Sequence, residues 1–251
     1  MTDAPASPRP KHTRIADKIR AAIDAGDLQP GQRLPSEDEL AAEHRVSHVT
    51  AARAVALLKV QGYLEGRRGS GVYVQKQLAL THQGLPYTGG DHWGDGNTIW
   101  QTTDGQSLDV DCVAAEEVTP PDEVARALRL GESDTVLRHA ARFSLGRRPV
   151  KYVRTFLPHG LVDAKRTDLH HIVPGDIAVT LKALGQQPSR IYVEGRSQMP
   201  SSEDVDLLSI PADRFVLRLY RIAYDAARNP IGVEETTMDA AAYVLAYDYP
   251  A

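Results

Sequence analysis

The sequence predicts an α+β protein with two domains, an N-terminal winged helix-turn-helix followed by an antiparallel sheet domain with helices. Residues 10–76 contain three short helical patterns and then a glycine-rich hairpin. Beyond residue 98, alternating patterns typical of strands dominate. The 251 residues exceed one average domain, and 42% of them are hydrophobic, which is enough for two packed cores.

Composition and charge restrict the class of protein. No segment approaches the roughly 18 consecutive apolar residues of a membrane span. The single cysteine, Cys112, excludes an intrachain disulfide and a paired-cysteine metal site. Residues 1–9 are rich in Pro, Ser and Ala and are expected to form a disordered leader rather than a signal peptide. We therefore expect a cytoplasmic protein with no membrane partner.

The charges are distributed unevenly along the chain. Residues 1–78 contain 12 Lys and Arg against 9 Asp and Glu, whereas the remaining residues contain 17 against 24. These differences of +3 and −7 give the net charge of −4. A positive N-terminal region favours contact with nucleic acid there.

The N-terminal region begins with two predicted helices. Ile15, Ile19 and Ile23 recur at helical spacing between residues 13 and 25. Residues 26–35 contain two prolines and two glycines, which predict a tight loop. Ser36 and Glu39 have the spacing of a capping box and predict a second helix that ends near His44.

A third helix and a hairpin follow. Ser47 is positioned to cap a helix that runs to Gly62, after the short turn at residues 45–47. Residues 63–65 and 72–74 are short strand patterns separated by glycines and arginines, which predicts a hairpin wing with a basic tip.

The order and spacing of these pieces resemble the GntR-type winged helix. The matching residues are Gly26-x-Leu28-x-Pro30-Gly31-x-Arg33-Leu34-Pro35-Ser36-Glu37-x-x-Leu40-Ala41, Val46-Ser47-x-x-Thr50, Gly62-Tyr63-Leu64 and Gly69-Ser70-Gly71-Val72-Tyr73-Val74. The resemblance implies a transcription regulator that binds an inverted repeat in double-stranded DNA as a homodimer.

The major groove admits an α-helix, so the third helix is expected to reach base edges while its neighbours hold phosphates. The predicted DNA-contact residues are Arg33, Ser36, Glu37, Ser47, His48, Thr50, Arg53, Arg67, Arg68, Gly69 and Ser70. The family usually has arginine at the positions of His48 and Ala52, so the usual operator half-site is not expected here.

The second domain follows a linker predicted at residues 77–97, which is rich in glycine. Trp93 and Trp100 predict that this region is docked onto a core rather than free. From residue 98 to 251 we expect a sheet domain. Its predicted strands are residues 108–113, 136–143, 151–156, 215–224 and 231–238, and its predicted helices are residues 122–130, 177–184 and a segment after 201–204.

This domain resembles the effector-binding UTRA domain of the HutC subfamily. The markers are Arg147-Arg148-Pro149-Val150, Thr155-Phe156-Leu157-Pro158 and Tyr224-Asp225-x-x-x-Asn229-Pro230-Ile231. The resemblance implies a chorismate-lyase-like fold, a pocket for a small-molecule effector, and dimerisation through this domain.

The pocket of relatives that bind sugar phosphates is not matched. Their arginine positions align with His139 and Ala141, and their acidic and tyrosine positions align with Gly232 and Met238. We therefore expect a different small-molecule effector. The candidate pocket residues are Arg138, Arg142, Arg154, Thr155, Phe156, Glu234 and Glu235, although alternating charges on a strand also fit its solvated face.

Other classes of function are less well supported. Adjacent His170 and His171, with Asp163 and Asp168 nearby, would point to opposite faces of a strand, so a metal site is not expected. A chorismate-lyase-like enzyme fused to a DNA-binding module lacks a nucleophile or a cofactor fingerprint. A DNA-binding protein that needs no ligand, as in plasmid maintenance, stays open because the usual pocket residues are replaced.

Overall fold

The computed structural model describes residues 9–67, 69–75, 80–84, 108–163 and 175–247. The chain divides into two compact units, residues 1–78 and residues 79–251, which are considered separately. Several predictions concern residues outside the described ranges: residues 1–8 of the leader, Arg68, Trp93, Trp100, Asp168, His170 and His171.

The first unit is a winged helix-turn-helix, as predicted. It contains α1 (Lys11–Asp24), α2 (Glu37–His44), α3 (His48–Val60) and a hairpin of β1 (Leu64–Arg67) and β2 (Gly71–Val74). Helix α1 packs mainly on α3, and α2 also packs on α3. The core between them contains Ile15, Ile19, Leu40, Val55 and Leu58, all of which are buried.

Local sequence determines how α2 begins and ends. The Ser36 hydroxyl accepts from the Glu39 backbone N–H, and the Glu39 carboxylate accepts from the Ser36 N–H at 2.7 Å, which is the predicted capping box. This backbone hydrogen bond lowers the pKa of Glu39 because it favours the ionised carboxylate. Arg45 adopts a left-handed conformation and ends the helix.

The predicted loop at residues 26–35 also contributes to the wing. The N–H groups of Gly31 and Leu34 donate to the carbonyls of Val74 and Val72, both at 2.8 Å, and Val74 N donates to the Gln32 carbonyl. Part of the loop therefore lies alongside β2 as a third extended segment. The turn residues predicted the loop but not this pairing, which joins segments about forty residues apart.

The second unit is built on a six-stranded antiparallel sheet, which confirms the predicted fold class. The strands are β4 (Asp109–Val118), β5 (Val136–Leu145), β6 (Arg148–Pro158), β7 (Arg190–Gln198), β8 (Val216–Tyr224) and β9 (Pro230–Asp239). Their order in the sheet is β4-β5-β6-β9-β8-β7. Cys112 lies on β4, as expected from the alternating pattern.

Three strands were not predicted. Strand β3 (Leu80–Gly84) lies within the expected linker and pairs in parallel with β10 (Tyr243–Tyr247), so this part of the segment is not a linker without structure. Strand β7 was missed because it is an edge strand exposed along most of its length, and it lacks the alternation of a half-buried strand.

Helices cover the two faces of the sheet. Helices α4 (Asp122–Leu128) and α7 (Ser202–Leu208) pack on the face that contains Phe156, Ile222 and Tyr152, here called the α4–α7 face. Helix α6 (Ile177–Ala183) packs on Leu157 and Ala223 of the opposite face, here called the α6 face. A short helix, α5 (His159–Asp163), follows β6.

Two backbone features determine how closely α6 approaches the sheet and where α4 ends. A Cβ at Gly232 would lie 3.2 Å from Ile177 Cδ1, so glycine permits the close approach of α6 to β9. Helix α4 ends earlier than predicted, because Arg129, with φ of 58°, takes the left-handed position that was expected near Gly131.

Candidate functional site

The N-terminus of α3 carries the side chains predicted to read DNA. Ser47 caps the helix by accepting from the Thr50 N–H, and the two hydroxyls lie 2.9 Å apart. The hydrogen bond between the two hydroxyls holds both side chains at the exposed start of the helix. Arg53 is exposed one turn later.

His48, the first residue of α3, projects into solvent beside the start of α2. Its Nε2 lies 3.4 Å from Glu37 Oε2 and 3.8 Å from Asp38 Oδ1. The structure therefore brings His48 and Glu37 together, although they lie on different helices. Val49 is 59% exposed at the next position. An exposed valine at this end of α3 is suited to contact a thymine methyl group, and sequence patterns did not single it out.

The described part of the wing is held by contacts within the hairpin. Arg67 Nη2 lies 2.7 Å from Glu65 Oε1, and its guanidinium lies 4.3 Å from the centre of the Tyr73 ring. Ser70 Oγ lies 2.6 Å from the Tyr73 hydroxyl. Gly69, with φ of 71°, forms the turn.

The loop before α2 completes this surface. Arg33 pairs with Tyr73 through an isolated bridge, and it is exposed, as is Ser36. Ten of the eleven predicted contact residues are described, and they lie on α2, α3, the wing and this loop. The arrangement offers an exposed helix N-terminus flanked by polar side chains, which fits a major groove and its phosphates.

The α6 face of the sheet contains a row of buried polar residues. His139, Thr155, Glu234 and Arg221 are consecutive partners across β5, β6, β9 and β8. Arg221 donates to Glu234, to Asp176 at 3.0 Å and to the Gly175 carbonyl at 3.2 Å. One guanidinium therefore bridges two buried carboxylates.

Arg221 Nε in this row is buried without a hydrogen-bond partner among the described residues, and so are two oxygen atoms. These are Thr155 Oγ1 and Glu234 Oε2, and both residues have no exposed surface. Burial raises the pKa of Glu234 although Arg221 opposes the shift. Buried polar groups are nearly always hydrogen-bonded, so these two atoms require an explanation.

Lys151 lies on the same face at the end of β6. It is buried, and its ammonium lies 4.3 Å from the centre of the Phe143 ring. Burial lowers its pKa to about 8, while the charge of Glu234 acts in the opposite direction. No sequence pattern indicated this residue, because an isolated lysine in a strand ordinarily lies on a solvated face.

The candidate effector residues do not form one cluster. Thr155 and Glu234 lie on the α6 face, whereas Arg138, Arg142, Arg154, Phe156 and Glu235 lie on the α4–α7 face. This division follows from the alternation of side chains along a strand. Whether any of them contacts an effector stays a prediction.

The α4–α7 face contains several ion pairs, although Glu235 Oε2 is also buried without a hydrogen-bond partner among the described residues. Arg154 pairs with Glu235 at 3.1 Å and with Glu203 of α7 at 3.0 Å, and Arg138 pairs with Glu116. Glu234 and Glu235 are buried, so the alternative interpretation of these charges as a solvated strand face is wrong. The reason is that β9 is a central strand with helices on both faces.

Within residues 9–67, 69–75, 80–84, 108–163 and 175–247, no three His, Cys, Asp or Glu side chains lie close enough to hold a metal ion. Among the same residues, no helix has the length and apolar character needed to cross a membrane.

Comparisons with known proteins agree with this architecture. The model of the GntR family of bacterial regulatory proteins matches residues 11–74, and the model of the UTRA domain matches residues 104–244. A GntR-family transcriptional regulator of known structure covers 97% of this chain and 98% of its own, with 21% identity and a TM-score of 0.61.

Two sequence relatives differ in how much of the chain they match. The repressor MngR of the mannosyl-D-glycerate transport and metabolism system of Escherichia coli is 44% identical over 69 residues, 28% of this chain and 29% of that one. An HTH-type transcriptional regulator of Mycobacterium tuberculosis is 26% identical over 230 residues, 89% of this chain and 80% of its own. The winged helix, the UTRA match over more than half the chain and these relatives establish that the protein is a DNA-binding transcription regulator of the GntR family, with the GntR-plus-UTRA architecture of the HutC type.

Proposed function

We propose that this regulator binds an inverted-repeat operator as a homodimer and is released from it by a small-molecule effector that binds on the α6 face. The observation that carries the effector proposal is the pair of fully buried atoms, Thr155 Oγ1 and Glu234 Oε2, with no hydrogen-bond partner among the described residues. A ligand that donates to one atom and bonds to the other would satisfy both.

Charge on the α6 face limits the chemistry of this ligand. Its buried charged groups are the cations Arg221 and Lys151 and the carboxylates Asp176 and Glu234. These charges balance, and Arg221 is already bridged between the two carboxylates. A doubly charged phosphate would meet no free excess of positive charge, so we favour a neutral or amine-bearing polar effector over a sugar phosphate.

Strand β7 supports the proposed dimer. It is one edge of the six-stranded sheet, and Tyr192 and Val193 on it are about 40% exposed. Met199 and Phe215, which flank the paired ends of β7 and β8, are also exposed. An unpaired edge with an apolar surface is a template for pairing with a second copy. A dimer formed in this way has two-fold symmetry, which matches the symmetry of an inverted repeat.

A metabolite panel tests the effector proposal. Ligands would first be found by thermal shift on the full chain, and operator affinity would then be titrated with and without each one. Thr155→Val should abolish release while operator affinity without ligand is kept, because the change removes a buried hydroxyl at almost constant volume. Thr237→Val is the matched control. Thr237 is equally buried and lies on β9, the strand next to β6, but its side chain is on the α4–α7 face.

The possible outcomes separate the alternatives. A sugar phosphate as the strongest releasing ligand would overturn the proposed effector chemistry. If the effector still releases DNA from Thr155→Val but not from Thr237→Val, the effector site lies on the α4–α7 face instead. No ligand from a broad panel would favour a DNA-binding protein that acts without an effector. We also propose a cytoplasmic location, since the operator is genomic DNA.

A further inference from the structure

Helix α1 carries a basic stripe that is not among the predicted DNA contacts. Lys11, Arg14 and Lys18 are spaced three and four residues apart, which places them on one side of the helix. All three are exposed. Their charged groups form no ion pair within the described residues, whereas Arg9 and Arg20 of the same region both pair with Asp17.

The stripe forms one wall of a groove of about 140 Å³, far more than one water molecule needs. The groove is lined by Lys11, Arg14, Ile15, Lys18, His44 and Val46. None of these lining residues is acidic, and Glu43 lies beside the groove with its carboxylate 3.9 Å from His44 Nε2. A groove with this balance of charge suits an anion.

The groove lies close to the recognition helix. Val46 is two residues before His48, a separation of at most about 7 Å between Cα atoms. The major groove of DNA is about 12 Å wide and is bordered by phosphates on both sides. A helix that enters it by its N-terminus therefore brings residues just before that terminus within reach of the backbone.

Arg67, the basic residue of the wing that the structure describes, is more strongly committed to internal contacts. Arg67 in the wing is paired with Glu65 and stacked on Tyr73, so it must leave these contacts or share them to hold a phosphate. The start of α2 contributes Glu37 and Asp38, which repel phosphates. The basic stripe of α1 does not have to break an ion pair with another described residue in order to hold a phosphate.

We propose that the groove between α1 and the α2–α3 turn binds a phosphate group of the DNA backbone, and that Lys11, Arg14 and Lys18 hold it. The inference rests on DNA binding by this unit, and it adds a contact that specifies no base. Each phosphate contact contributes about 0.9 to the slope of log affinity against log salt concentration. This contact would make α1 a source of affinity that does not depend on the base sequence.

The test is the triple variant Lys11→Gln, Arg14→Gln, Lys18→Gln in the full chain. Operator affinity would be measured over an about fourfold range of salt concentration, from roughly 50 to roughly 200 mM, together with affinity for an unrelated duplex of equal length. We expect the slope to fall by about 0.9, the contribution of one phosphate, and both duplexes to lose affinity by the same factor. Arg20→Gln, on the other side of α1 and paired with Asp17, is the matched control and should leave the slope unchanged.

A second measurement separates backbone phosphate from a free anion. Inorganic phosphate would be titrated into the wild type and the triple variant at constant ionic strength, with melting temperature as the readout. Stabilisation of the wild type alone, with an unchanged slope on DNA, would assign the groove to a free anion and overturn the proposal. An equal loss of slope in Arg20→Gln would also overturn it, because the effect would then reflect net charge alone. Wild-type protein that failed to bind any duplex would instead contradict DNA binding itself.

Discussion

At the scale of single residues, His48 occupies a position at which the resemblance to the GntR-type winged helix implies arginine. A neutral imidazole offers one donor and one acceptor, and it cannot make the two parallel hydrogen bonds that arginine makes to guanine. Its Nε2 already lies 3.4 Å from Glu37 Oε2, so part of its hydrogen-bonding capacity is directed toward the protein. We therefore expect a softer base preference opposite His48 than arginine would give.

The substitution His48→Arg should sharpen a guanine preference at one position in each half-site, by about 1–3 kcal/mol of discrimination. Selection of binding sites from random duplexes, carried out in parallel on both proteins, measures it. His48→Gln keeps a donor and an acceptor without charge and should leave the preference soft. Identical selected motifs for the wild type and His48→Arg would show that His48 does not face the bases.

Lys151 gives a second prediction at this scale, in the dependence of stability on pH. Its pKa is about 8 in the folded protein and 10.5 in the unfolded chain, so between these values the unfolded chain binds more protons. The contribution of Lys151 to the free energy of unfolding therefore rises with pH across this window, by at most about 1.4 kcal/mol per pH unit. Below pH 8 this contribution is constant and unfavourable.

Chemical denaturation from pH 7 to pH 10 checks this, because Lys151→Met removes the titrating amine and keeps an unbranched side chain. The difference in unfolding free energy between wild type and Lys151→Met should change in favour of the wild type as the pH rises through 8. Lys182→Met, at an exposed position of α6, should retain the wild-type pH dependence. Parallel curves for wild type and Lys151→Met would show that Lys151 does not titrate in this window.

At the scale of elements, the six-stranded sheet has two edges of different character. Strand β7 exposes Tyr192 and Val193, whereas β4 at the other edge exposes Val110. A charged side chain on an edge strand opposes pairing with another copy, because its charge would be desolvated at the new interface.

Val193→Lys should therefore weaken the proposed dimer and move the mass in solution from twice the 27.5 kDa chain toward a single chain. Sedimentation equilibrium over a range of concentrations measures the change. Val110→Lys is the matched substitution on the opposite edge and should not alter the mass. If Val110→Lys dissociates the protein and Val193→Lys does not, the interface lies at β4.

At the scale of the whole molecule, effector control requires only a small coupling energy. A tenfold fall in operator affinity corresponds to about 1.4 kcal/mol of preference of the effector for the form that does not bind DNA. Coupling is reciprocal, so saturating operator should weaken effector binding by the same factor. Calorimetry of one releasing ligand with and without operator measures that factor, and an affinity unaffected by operator would separate ligand binding from release.

Charge also differs between the two ends of the chain. The excess of three basic groups in residues 1–78 and of seven acidic groups in the rest directs DNA toward the first unit. The acidic excess of the second unit repels phosphates, which fits a domain that contacts another copy and a ligand rather than DNA.

The sequence by itself determined the winged helix-turn-helix, and the reason is that its determinants are local. The cap of α2 at Ser36 and Glu39, the cap of α3 at Ser47 and the turn at Gly69 each act within a few residues. Helical periodicity likewise identified the buried side of α1, so the fold of this unit could be predicted, whereas its DNA-contact residues stay a prediction.

Only the tertiary structure decided which strands are neighbours and which side chains share a face. The parallel pairing of β3 with β10 and the row from His139 to Arg221 join segments tens of residues apart, and no local pattern encodes such contacts. Alternation along a strand places Glu234 and Glu235 on opposite faces, but it does not show that helices cover both faces of β9. Burial of a charged group depends on everything packed around it, and for this reason the α6 face, Lys151 included, could not be derived from the sequence.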